Sequence, residues 1–158
     1  MAYSVYSMPD ISVNMNHPDV GAMALHENGL NKIVVSAAGD LTSHTTTSDG
    51  YVVVNRIKAT NGRVDIEVAQ NSKADYYLRN YVGWARNRNT PTNRIAMGVM
   101  TIHDSQSAKM ITASNLSVLK VPDRTYDKTA TNVTYSFLAV SITESAVTQN
   151  TITNYATR

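Results

Sequence analysis

The groups that could carry chemistry are few, and their spacing disposes of most of them. The four histidines, His17, His26, His44 and His103, lie far apart in the chain. His26-Glu27 opens like the HExxH helix of a zinc protease, where two imidazoles one turn apart hold the metal and the glutamate is the base. The fifth position is Leu30, so the second imidazole is missing. His103-Asp104 offers half of a metal site and reads more simply as a strand end entering a turn. Asp65 and Glu67 alternate with Val64, Ile66 and Val68, which puts both carboxylates on one strand face, roughly 7 Å apart. A paired carboxylate could serve glycoside hydrolysis, but the plainer reading is a solvated strand face. No GxSxG elbow, GxGxxG loop or GxxxxGK[ST] loop occurs. Trp84, with Tyr77 and Tyr81, could form a stacking platform for sugars or single-stranded nucleic acid. Tyrosines at i and i+4 are more simply helix-packing residues. The sequence therefore offers no constellation for an enzyme, and no metal or cofactor is expected.

The elements that would position these residues are mostly strands. Period-2 alternation, the mark of a strand with one buried face, predicts strands over 10–16, 31–37, 51–59, 63–70, 95–103, 108–121 and 132–143. The last is apolar on both faces around Phe137 and Ile142, as in a central strand. Asp49-Gly50 and Asn61-Gly62 are dipeptides that accept positive φ in tight hairpins, so 51–59 and 63–70 are expected to pair through Asn61-Gly62. One helix is expected from Ser72 to about Arg86. Ser72 and Asp75 resemble a capping box; Tyr77, Leu78, Tyr81, Val82 and Ala85 share an apolar face. Asn89 and Pro91 end it. The segment 41–49 is almost entirely Ser and Thr, either a flexible loop or a protruding hairpin. These elements predict a mainly β fold, two packed antiparallel sheets as a sandwich or barrel with one flanking helix. The chain reads as a single domain over 1–158, with an N-terminal arm at 1–9 and a C-terminal extension at 146–158.

Composition narrows the function classes. Only 16% of the residues are charged, against about 25% in ordinary domains, while 47 of the 158 are Ser, Thr or Asn. The net charge is +2 and no basic run exceeds the thin stretch of Arg86, Arg88 and Arg94, which argues against a nonspecific nucleic-acid binder. The absence of cysteine excludes disulfides and cysteine-ligated zinc. No apolar run approaches the ~20 residues of a membrane helix, so membrane insertion is not expected, and the opening MAYSVYSMPD lacks the pattern of a secretory signal. A structural role remains. Strands with few charges make good templates for strand addition between copies. Val52-Val53-Val54 and Phe137-Leu138-Ala139-Val140 are the candidate edges, and head-to-tail contacts of this kind close into rings or grow into tubes.

The order of short motifs carries a resemblance. A first strand, DISVNM, leads to the AAGD turn and the Ser/Thr-rich segment. NGRVDIEVAQNSKADYYLRNYV then runs from a strand through a capped turn into the helix, and TIHD precedes ASNLSVLKVPDRTYDKTATNVTYSFLAVSITE. Across residues 10–144 this resembles the tail tube proteins of contractile-tailed bacteriophages. The resemblance implies hexameric rings whose strands join into one β-barrel, stacked into the inner tube of the virion tail and assembled in the bacterial cytoplasm. It implies partners: other copies of the chain, sheath, tape-measure, baseplate and terminator proteins, and double-stranded DNA passing through the lumen. On that template Asp65 and Glu67 face the channel, with Arg56 and Lys58 of the expected partner strand beside them. Thr42, Ser43, His44, Thr45, Thr46, Thr47 and Ser48 occupy the place of an inter-ring contact. The tube protein of type VI secretion systems shares this template. A carbohydrate-binding β-sandwich using Trp84 is the alternative from another class.

Overall fold

The computed structural model describes residues 2, 3 and 5–146; the expected extension, beyond Ala146, lies outside them. The elements are β1 (Ile11–His17), β2 (Gly21–Ala24), β3 (Leu30–Ala37), β4 (Thr42–Thr46), β5 (Val52–Arg56), β6 (Gly62–Ala69), α1 (Lys73–Arg86), β7 (Gly98–Asp104), β8 (Lys109–Val118) and β9 (Asn132–Ala146). Short 3-10 turns at Met8–Asp10 and Thr92–Arg94 precede β1 and β7. Seven strands form one antiparallel sheet, ordered β2-β1-β7-β8-β9-β6-β3 and curled into a half-barrel. The remaining pair, β4 and β5, makes a small second sheet. The mainly β architecture with one helix is as the alternation and the single capped helix predict.

Alternation explains which face is buried. In β6, Val64, Ile66 and Val68 are fully buried while Arg63 and Ala69 are exposed. Val13 and Met15 of β1, Met100 of β7 and Val133, Tyr135 and Phe137 of β9 join them in one core. Ser72 caps α1: its Oγ accepts the Asp75 backbone N–H at 3.2 Å, satisfying one of the free donors of the first turn. Ala74, Leu78, Tyr81 and Val82 then recur at helical spacing and close the core from the helix side. Tyr81 meets Phe137 edge-on, with ring centroids 5.3 Å apart. Each of the large side chains buried here contributes about 1.5–3 kcal/mol by leaving water.

Two expectations about pairing are corrected. Residues 63–70 do not form a hairpin with 51–59 through Asn61-Gly62. Both edges of β6 are occupied, by β3 on one side and β9 on the other, and β5 pairs instead with β4, Thr46 opposite Val52. Burial is the reason: β6 needs apolar neighbours, which β3 and β9 supply, whereas every residue of β5 is exposed. Gly62 already belongs to the ladder, opposite Ala37 and Ala139. A Cβ there would collide with the Ser36 carbonyl and Ile142, so this glycine serves close approach of strands rather than a turn. Phe137-Leu138-Ala139-Val140 is likewise no edge, because β9 lies between β8 and β6. That agrees with reading the segment as central from its two apolar faces.

One carboxylate locks the layers together. Asp75, three residues into the helix after its cap, is fully buried. Its Oδ1 accepts Arg124 Nη2 at 2.9 Å and the Tyr135 hydroxyl at 2.7 Å. Its Oδ2 accepts the Asn71 backbone N–H at 2.9 Å and Arg79 Nη2 at 3.2 Å. Burial alone would raise the Asp75 pKa; the hydrogen bonds from Arg124, Tyr135 and Asn71, with the Arg124 charge, more than offset it and hold the group below the ordinary 3.8. The helix N-terminus favours the same ionised form. A depressed folded-state pKa means that the ionised group is the stabilising one: its contribution is complete above the unfolded value and drains away as pH falls through the folded value. Replacing Asp75 by Ala should cost about 3 kcal/mol in urea unfolding, because it leaves the partly buried Arg124 guanidinium and the buried Tyr135 hydroxyl without their shared partner; a loss under about 1 kcal/mol would contradict this. Wild-type stability should fall below about pH 4, and Asp75→Asn should flatten that acid limb.

Candidate functional site

The sheet face opposite the core carries the charged residues. Asp65 of β6 lies opposite Val34 of β3 and Ser136 of β9; Glu67 lies opposite Lys32 and Thr134. Lys32, Val34, Arg63, Asp65, Glu67 and Thr134 line a shallow groove of about 390 Å³. Arg63 Nε donates to Asp65 Oδ1 at 2.9 Å, and the Ser136 hydroxyl donates to the same oxygen at 2.6 Å. Partial burial pushes the Asp65 pKa up, but the hydrogen bonds from Ser136 and Arg63 and the charges of Arg63 and Lys120 leave it lowered. The carboxylate is therefore ionised at neutral pH and tied to a guanidinium.

Arg56 and Lys58 are not strand neighbours of this face. Arg56 ends β5, opposite Thr42 in the small sheet, and Lys58 follows it in the connection to β6. The cations that do flank Asp65 and Glu67 are Arg63 and Lys32, and the Lys120 charge also acts on Asp65. Arg63 sits two residues before Asp65 on the same strand face, so strand alternation alone could have found it. Lys32 needed the β3–β6 register.

The segment 41–49 is a hairpin rather than a loop. Thr42 to Thr46 form β4, and the Thr47 N–H donates to the Tyr51 carbonyl at 2.8 Å to close the turn. Gly50 adopts φ +86° there, a left-handed conformation that glycine takes without strain. Asp49 accepts a short hydrogen bond from the Thr47 hydroxyl, which, with the Asp49 and Tyr51 backbone N–H groups, lowers its pKa. All ten residues of β4 and β5 are exposed, and so are Leu41 and Tyr51 on either side. Tyr51 is 69% exposed and Val54 61%. A lone two-stranded hairpin is marginal in water. In the large sheet, β2 and β3 are the outer strands.

The other chemical candidates resolve into packing. Among the described residues no cluster of three His, Asp or Glu side chains could hold a metal ion, and no helix is long and apolar enough to cross a membrane. His26 Nδ1 accepts the Val13 backbone N–H at 3.1 Å. Asp104 accepts the Gln106 N–H at 3.0 Å, the turn expected after His103. Tyr81 is buried, and Tyr77 donates its hydroxyl to the Gly21 carbonyl at 2.7 Å. Trp84 packs at a tilt against the buried His17, centroids 4.3 Å apart and planes 60° apart, so its ring is engaged in packing. His17 itself is a feature no local pattern announces. Its Nδ1 accepts the Asp19 N–H, so its Nε2 carries the proton and donates to the Arg94 carbonyl at 2.9 Å, 77 residues away.

Solved structures share this arrangement. The sheath/tube terminator of PVC, an extracellular contractile injection system, superposes with TM-score 0.64 at 8% identity, over 92% of this chain and 100% of that one. A chain of the PVC sheath-tube complex gives 0.60 at 10% identity, over 90% and 93%. The tube-terminating cap of the anti-feeding prophage gives 0.62 at 7%, over 92% and 94%. Identities this low establish a common fold. No curated protein sequence matches the chain. The family model described as bacteriophage PhiTE tail tube protein matches residues 3–146, the whole half-barrel with its helix and hairpin. With a curled sheet and that match from end to end of the described fold, the chain belongs to the bacteriophage PhiTE tail tube protein family, a family of structural proteins.

Proposed function

We propose that this chain is the repeating subunit of the inner tube of a contractile phage tail. Six copies close a ring, and rings stack into a hollow tube that conducts double-stranded DNA during ejection. The observation that carries this reading is the half-barrel whose outer strands, β2 and β3, have no partner strand beyond them among the described residues. An open sheet with free N–H and C=O groups is a template for pairing with another copy, and repetition of a head-to-tail contact closes a ring. Sheath and terminator proteins are the expected partners, with baseplate and tape-measure proteins at the tube end and in its lumen.

In the tube, the face bearing Asp65 and Glu67 lines the lumen. The flanking Arg63 and Lys32 refine what such a lining does. Arg63 is held by Asp65, and Lys32 lies opposite Glu67 in the β3–β6 register. A wall of roughly balanced charge lets DNA slide without adhering. The double substitution Asp65→Lys with Glu67→Lys should leave tubes assembled and slow DNA release from particles, and added salt should relieve the delay. Insoluble, unassembled protein from that variant would instead make the pair structural.

The hairpin residues Thr42 to Ser48 make the contact between rings, and β5 contributes the apolar part of that contact. No hairpin side chain enters the core, so the subunit does not need it to fold. Deleting 42–48 should shift Tm by less than about 3 °C and abolish tube growth in negative-stain images. Tubes of normal length from the deletion would contradict the assignment.

A further inference from the structure

On the outer side of α1 lies a second groove, of about 300 Å³, between the helix and the segment that follows β8. Val82, Val121 and Pro122 form its apolar floor, and Arg79, Arg86 and Arg124 surround it. No carboxylate lines it. Arg79 and Arg124 share one anion, the buried Asp75 beneath. Arg86, in the last turn of the helix, has no salt-bridge partner among the described residues. The groove therefore holds excess positive charge beside an apolar floor. Its volume is at the low end for a small-molecule site and suits one or two side chains of a protein.

The hairpin supplies the complement. Its tip presents the Asp49 carboxylate, kept ionised by the turn, next to exposed Tyr51 and Val52. We propose that the hairpin tip of one copy docks in the arginine-rimmed groove of another. Asp49 meets Arg86, and Tyr51 and Val52 cover the apolar floor. This rests on the reading of the hairpin as the inter-ring contact, and it adds the surface that receives the hairpin. It also gives Asp75 a second consequence: by fixing Arg79 and Arg124 it shapes the receptor for the neighbouring copy.

A charge exchange tests the pairing. Arg86 and Asp49 are both exposed and outside the core, so Arg86→Asp, Asp49→Arg and the double variant should fold like wild type, as thermal melts would check. Each single reversal should cut the yield of sedimentable tubes about tenfold or more at low salt, since like charges then face each other. The double variant should recover most of it. A second readout uses the absence of native cysteine: chains carrying Asp49→Cys mixed with chains carrying Arg86→Cys should give a dimer with a short bismaleimide, and neither should alone. Tubes that form with single reversals at wild-type yield, or a double variant no better than the singles, would overturn the docking while leaving the tube reading intact. Wild-type chain that forms neither rings nor tubes would overturn the tube reading, and the docking with it.

Discussion

A buried carboxylate that must remain charged constrains the rest of this molecule. Taking Asp75 out of water is costly unless its oxygens are filled by donors held in place. The donors come from three parts of the chain: Asn71 and Arg79 around the helix start, Arg124 from the segment after β8, and Tyr135 from β9. Satisfying one residue therefore fixes the helix against the sheet and straps an otherwise irregular segment across it. With α1 committed to the core side, the opposite sheet face is left to Asp65, Glu67 and their cations. The small sheet is left outside the core altogether. The same carboxylate sets the positions of two of the three arginines on the outer groove.

Most of the fold was legible in the sequence because burial in it follows local periodicity. Val64, Ile66 and Val68 announce β6, and Ser72 with Asp75 announces the start of α1. What was not legible is pairing. Asn61-Gly62 has the chemistry of a tight hairpin, yet the chain there feeds β6 between β3 and β9, because the apolar face of β6 needs neighbours that β5 cannot supply. Strand order is a property of the assembled core, and no turn dipeptide encodes it. Phe137 to Val140 show the same conflict: weak charge protection marked an edge, two apolar faces marked a central strand, and burial decided for the second.

The functional faces were legible in part. Alternation alone places Asp65 and Glu67 together, and the structure keeps them on one face. Only a hairpin through Asn61-Gly62 would bring Arg56 and Lys58 beside them; Arg63 and Lys32 take that place through register. Asp75 read as half of a capping box, with no sign of the arginine 49 residues away that makes it a hub. The composition also gains meaning. A hairpin of threonine and valine with few charges is poorly suited to bulk solvent and well suited to burial against copies of itself, where hydroxyls can be satisfied and unpaired charges would be costly. In the proposed tube, low charge marks the surface that neighbouring copies cover.

The half-barrel is proposed as one segment of a closed, stacked tube. A cryo-electron microscopy reconstruction of the assembled chain tests it most directly. The expected map shows six-membered rings in which outer strands of adjacent copies pair, with Asp65 and Glu67 on the inner wall. A chain that stays monomeric at high concentration, or rings with that face turned outward, would contradict it.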